Sequence, residues 1–174
     1  MTGGPPDPVV DDREVIAAAS RRIQALLEAQ RVPGFATVDL ERAAADAAIT
    51  RSLGPEGVIE APADELLGAR CRIVVLPARR LQVLLEPSTE GRLAASLARF
   101  GEGYLVEYLL VADSEFGAAV DAIRAAGLAP SAEAMGPFGR ERLLTLSPAW
   151  GPHLILAARD PAPGKPDAAV TILR

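Results

Sequence analysis

The chain has 174 residues, 49% hydrophobic and 24% charged, which is enough for one domain with a real core and too apolar for a disordered segment. A net charge of −5 with no clustered basic stripe speaks against nucleic acid and anionic membranes as partners. The single cysteine, Cys71, excludes an intramolecular disulfide, and the single histidine, His153, excludes histidine-rich metal sites and any triad that does not use it.

The segment "MTGGPPDPVVDD" has neither a basic stretch nor an apolar run, so no signal peptide is expected. No apolar run approaches the roughly 20 residues of a membrane span. A cytoplasmic protein is the expectation. Residues 1–10, rich in Gly and Pro, read as a tail. Asp11 or Asp12 can cap a helix over 11–30, with Val15, Ile16, Ala19, Ile23, Leu26 and Leu27 on one apolar stripe. That stripe must dock, on its own domain or on a dimer partner.

From Val32 the pattern changes. "GFATV" reads as a strand, and Asp39 caps a helix, "LERAAADAAITRSL", stopped at Gly54. Strands follow around "GVIEA", "RCRIVVL" and "RLQVLLE", the last two joined by a hairpin at "PARR". A short helix, "EGRLAASLARF", leads into "GEGYLVEYLLVAD", whose middle reads as a strand. Asp113 or Ser114 caps "EFGAAVDAIRAA", with Phe116, Val120 and Ile123 on one face and Gly127 as the stop. Strands around "SAEAM", "ERLLTLS" and "PHLILAA" complete the series.

The two halves overlay. The caps Asp39 and Asp113, the stops Gly54 and Gly127, and the turn pairs Gly68 with Gly139 and Pro77 with Pro148 all recur at nearly one offset. "GARCRIVVLPA" falls on "GRERLLTLSPA". Because the order of elements matches as well, the expectation is an α+β fold: two βαβββ modules, about 31–87 and 103–160, forming a curved mixed sheet around a cup. The N-terminal helix precedes this domain of 31–160, and 161–174 is a C-terminal tail whose "AAVTILR" can add an edge strand.

The ordered set "LLEPSTEGRLAASLARFGEGYLVEYLLVAD", "GAAVDAIRAAGL" and "GPFGRERLLTLSPAWGPHLIL" resembles the vicinal oxygen chelate superfamily. That group includes glyoxalase I, bleomycin-type resistance proteins, extradiol dioxygenases and methylmalonyl-CoA epimerase; the epimerase-like branch is closest in pattern. The resemblance covers about 32–159. It implies a cup whose metal, held by His, Glu or Gln, chelates two neighbouring substrate oxygens. Carried over residue by residue, those ligand positions fall on Val32, Val83, Val106 and Ile155. Four aliphatic side chains cannot hold a divalent ion. A shift of one residue along each strand brings Gln82, Glu107 and Leu154 or Leu156 instead, two donors at most. The expectation is a member of the fold with no metal and no cofactor.

In that register Val83, Tyr104, Val106, Tyr108, His153 and Ile155 face inward, and Phe138 and Trp150 lie in loops at the mouth. Such a cup suits a small apolar or aromatic molecule. Each residue also has a plainer role. The tyrosines can fill a core, His153 can sit at the surface, Trp150 can be a packing anchor, and Cys71 can be a buried core residue. Arg79 and Arg80 read as a solvated turn.

Three functions follow. The first is metal-independent small-molecule binding. The second is an epimerase, isomerase or lyase acting next to a carbonyl of an acyl-CoA-like substrate, with Glu107 or His153 as base. The third is a non-catalytic partner subunit. Members of this fold often pair, so a homodimer is expected. By register Glu107 points away from the cup; only a bulge would turn it inward.

Overall fold

The computed structural model describes Arg21, Ile23, 25–53, 57–144 and 152–159. The expectations for the tail 1–10, most of the N-terminal helix, Gly54, Pro148, Trp150 and the C-terminal segment lie outside the described residues. In chain order the elements are β1 (Gln30–Ala36), α1 (Leu40–Thr50), β2 (Val58–Asp64), β3 (Ala69–Val75), β4 (Leu81–Pro87), α2 (Arg92–Phe100), β5 (Gly103–Ala112), α3 (Phe116–Ala125), β6 (Ala134–Gly136), β7 (Gly139–Leu144) and β8 (His153–Arg159).

The eight strands form one sheet in the order β2-β3-β4-β1-β5-β8-β7-β6. Each half repeats the same plan. Its first strand runs parallel to its last, and the remaining neighbours are antiparallel. The halves join through the antiparallel pair β1–β5. The sheet curls until its outer edges nearly meet: the Glu65 amide, just after β2, donates to the Met135 carbonyl of β6 at 3.0 Å. The expected duplication is therefore present as topology.

Three apolar clusters organise the fold. Inside the curl, Val32, Val83, Leu85, Val106, Tyr108 and Ile155 pack with Leu93 and Leu97 of α2. Outside, α1 lays Leu40 and Ala44 on Val74 and Leu84. Also outside, α3 lays Phe116, Val120 and Ile123 on Leu109, Leu154 and Leu156. Ile23 and Ala29 join that last cluster, so the end of the N-terminal helix docks on its own domain.

Local chemistry explains the boundaries. The Asp39 carboxylate accepts from the Arg42 amide at 2.9 Å, capping α1 as its sequence predicts. At the end of α3, Gly127 takes φ +84°; its amide reaches the Arg124 carbonyl at 2.9 Å and the Leu128 amide reaches that of Ile123 at 3.2 Å. This is the left-handed stop that glycine favours.

Three expectations change. The N-terminal helix does not reach Gln30, because Glu28 adopts φ 49° and Gln30 opens β1. β1 begins before Pro33 rather than after it. A proline is tolerated in this central strand because pairing with β4 starts only at Gly34. Asp113 does not cap α3. A 3-10 turn, Asp113–Glu115, intervenes, and the Asp113 carboxylate accepts instead from Arg140 at 2.7 Å.

Candidate functional site

The metal implied by the resemblance would sit among Val32, Val83, Val106 and Ile155. These residues do share the inner wall. Gly34 pairs with both Val83 and Val106, while Tyr108 pairs with both Val32 and Ile155, which places the four on two neighbouring rungs. None is more than 4% exposed. Hydrocarbon side chains have no lone pair to donate, so this set does not fit a divalent ion. Among the described residues no three His, Cys, Asp or Glu side chains are grouped to hold one. The donors reached by a one-residue shift face outward: Gln82 accepts from Arg51 at 2.7 Å, and Glu107 is paired with Arg31.

The inner wall is tightly packed. A Cβ added at Gly34 would lie 2.8 Å from Leu85 Cδ1 and 2.8 Å from Val106 Cβ. Helix α2 closes one end of the cup with Leu93 and Leu97.

The candidate residues divide between the two faces. Val83, Val106, Tyr108 and Ile155 face inward, as expected from their register. Phe138, in the turn between β6 and β7, meets Tyr108 edge to face with ring centroids 5.5 Å apart. Tyr104 does not face inward. Gly34 pairs with Val106 but Phe35 pairs with Tyr104, so Leu105 is an extra residue in β5. A bulge reverses the alternation beyond it. Leu105 takes the inner position, while Tyr104 turns out against Phe35 and is 59% exposed. Glu107 lies on the regular side of that bulge and stays on the outer face with Arg31. Glu107 and His153 are thus on opposite faces.

His153 is buried, not at the surface. Its Nε2 lies 2.9 Å from the Ser96 hydroxyl of α2. Burial, and then the positive charge of Arg92, push the imidazole down to about 4, against a hydrogen bond to the Arg92 backbone. It is neutral at physiological pH and ties α2 to β8.

The chemistry inside the cup comes from residues the sequence reading did not select. Asp64, at the end of β2, accepts from the Leu67 amide at 2.8 Å and from the Tyr108 hydroxyl at 2.6 Å. Glu141 of β7 lies beside it. Both carboxyl groups are fully buried, and the Glu141 carboxyl interacts with that of Asp64. Burial, then the charge of Asp64, raises Glu141 to about 10, and burial also raises Asp64. The two carboxyls hold a proton between them and do not both ionise. Nearby, Cys71 is pushed up to about 12, first by burial and then by Asp64, so it is an inert thiol in a buried position, as its composition suggested. For Glu141 the signal was available: Glu141 and Leu143 pair with Ala157 and Ile155, so period two puts both inside. Asp64 gave no such signal, because a carboxylate beside a Leu-Leu-Gly turn reads as solvated.

"GEG" has a structural task. Glu102 accepts from the Thr37 hydroxyl at 2.6 Å, the Val38 amide at 2.9 Å and Arg42 at 2.8 Å. Those bonds, the Thr37 one first, lower it to about 2. It pins the entry of α1 to the start of β5.

No family model matches the sequence, and no curated protein does. Solved structures do. Methylmalonyl-CoA epimerase from Mycobacterium tuberculosis superposes with TM-score 0.64 at 20% identity, covering 78% of this chain and 91% of that one. A variant of the Streptomyces coelicolor methylmalonyl-CoA epimerase in complex with 2-nitronate-propionyl-CoA gives 0.60 at 23%, covering 75% and 98%. A hypothetical protein from Bacillus halodurans gives 0.59 at 16%, covering 74% and 91%. With its paired βαβββ modules and nearly closed sheet, this chain has the fold of the vicinal oxygen chelate superfamily, in the form seen in methylmalonyl-CoA epimerases.

Proposed function

We propose that the chain is a metal-independent small-molecule-binding protein of the glyoxalase and bleomycin-resistance fold, with its ligand seated in the cup. The observation that carries this reading is the exchange of polar groups within the cup. The positions where the superfamily resemblance places metal donors are aliphatic, and the polar groups stand instead at the Asp64–Tyr108–Glu141 cluster. An apolar wall with a few convergent polar groups is the usual make-up of a small-ligand site. Elemental analysis and native mass spectrometry of the purified protein test it. The expected result is no stoichiometric metal, together with saturable binding of an apolar or aromatic probe that a Val106→Phe variant abolishes. Stoichiometric zinc, cobalt or iron would overturn it.

The proton shared by Asp64 and Glu141 favours a second reading, an epimerase or isomerase working by proton transfer. One carboxyl group would act as base and the other as acid, with the Tyr108 hydroxyl beside them. On this reading Glu107 and His153 are poor bases, the first held outside the cup and the second too weakly basic. Loss of turnover in Asp64→Asn with binding retained would support catalysis; equal turnover in wild type and variant would refute it.

A further inference from the structure

The outer face of the sheet carries a groove that the cup does not use. It opens between the end of α1 and the β3–β4 turn and has a volume of about 700 Å³. Pro33 lines it from β1, Gln82 from β4, and Leu76 and Pro77 from the turn. Tyr104 of β5 lines it as well, with its ring 59% exposed. The bulge at Leu105 is what turns that ring to this face.

Two arginines, Arg51 and Arg80, line the same groove, and no carboxylate does among the described residues. Neither arginine makes an ion pair among the described residues; the side chain of Arg51 donates only to the neutral Gln82 at 2.7 Å. Gln82 is 4% exposed, and with its oxygen taken by Arg51 its side chain offers the groove N–H donors. Charges around the groove are otherwise matched: Arg31 with Glu107, Arg42 with Glu102, and Arg72 with Glu41 and Glu60. Carbonyls of the last turn of α1 do not compete for Arg51. Those of Ala47, Ala48 and Ile49 accept from the Arg51, Leu53 and Ser52 amides.

The turn that presents Arg80 is bent against backbone preference. Ala78 and Arg79 take φ 59° and 55°, and neither is a glycine. The Leu76 amide then donates to the Arg80 carbonyl at 2.7 Å, which holds Arg80 beside the groove.

We propose that this groove is a second binding site, on the face opposite the cup, for a small aromatic molecule that carries an oxyanion, a carboxylate or a phosphate. The guanidinium forks of Arg51 and Arg80 and the Gln82 amide supply donors and positive charge for the oxyanion. The Tyr104 ring, with Pro33 and Pro77, takes the aromatic body. An adjoining hollow along α1 shares Arg51, Gln82 and Tyr104 but carries Asp46 and Glu102. The oxyanion therefore sits on the side of the β3–β4 turn, away from those carboxylates. A cationic ligand meets two like charges here, and a neutral one leaves both arginines without a counter-charge.

Titration of the labelled protein with benzoate, phenyl phosphate, inorganic phosphate, benzyl alcohol and benzylamine, followed by NMR near neutral pH in low-salt Tris, tests this. At least one of benzoate and phenyl phosphate is expected to bind about tenfold or more tightly than the alcohol, the amine and inorganic phosphate, and the tighter of the two identifies the oxyanion. The arginine Nε–H signals of Arg51 and Arg80 are expected to shift. Arg80→Ala, an exposed position, should weaken that binding about tenfold, and Tyr104→Ala should remove the advantage over inorganic phosphate. Alcohol or amine binding as tightly as both aromatic anions overturns the proposal, as does binding of none of the five. Inorganic phosphate binding as tightly as both overturns the aromatic assignment. Undiminished binding in folded Arg80→Ala, or unmoved arginine signals, overturns the location and leaves the cup reading untouched.

Discussion

Replacing Glu141 with glutamine should change how stability depends on pH. In the folded chain this carboxyl is raised to about 10 from an ordinary 4.5, because it is buried and lies beside Asp64. The unfolded chain ionises near the ordinary value. Between the two, the folded state holds a proton that the unfolded state has lost. Stability contributed by this site is therefore complete below the unfolded value and declines as pH rises toward the folded one. The slope is about 1.4 kcal/mol per pH unit, so the site takes about 3 kcal/mol from the wild type between about pH 5 and pH 7. Asp64 is shifted in the same direction and adds to the trend. Glutamine carries no such proton. Urea denaturation of both proteins across this range should show the variant gaining on the wild type by about 3 kcal/mol. His153 titrates in both proteins and cancels in the difference. Parallel profiles would refute the buried, proton-sharing pair.

Other outcomes follow from the same geometry. His153 has a folded value below its unfolded one, so it destabilises as pH falls below the ordinary 6.5 and levels off below about 4. An imidazole NMR titration should find its midpoint near that lower value, and a midpoint near 6.5 would mean that the ring is exposed. Gly34→Ala should destabilise by about 1–3 kcal/mol through overpacking against Leu85 and Val106. Gly103→Ala, whose Cβ would meet nothing within 4 Å, is the control for thermal melts and should change little. Glu102→Gln should weaken the α1 entry at neutral pH. In the wild type that contribution is present above the ordinary carboxylate value of 4.5 and lost as pH falls toward about 2, so wild type and variant should converge in acid. Amide hydrogen exchange at Val38 and Arg42 measures it.

The fold was legible because local signals and the repeat agreed. Helix caps at Asp39 and the stop at Gly127 act within a turn, so the residues alone determine them. The strand alternation of β4, β5 and β8 follows from period two, which put Val83, Val106, Tyr108 and Ile155 on the inner wall and Glu107 on the outer one. Duplicated modules then imply a shared curved sheet, because each copy repeats the same order of elements.

Tertiary structure decided the rest. Tyr104 changed faces because one bulge at Leu105 reverses the alternation, and a bulge depends on pairing with Gly34, which is distant in sequence. His153 became buried because α2 folds over the start of β8, which its flanking residues do not reveal. The Asp64–Glu141 pair arises only when the two far edges of the sheet curl together. Each carboxylate is ordinary in its own segment. Their shared burial, and the chemistry that follows from it, comes from closing the sheet.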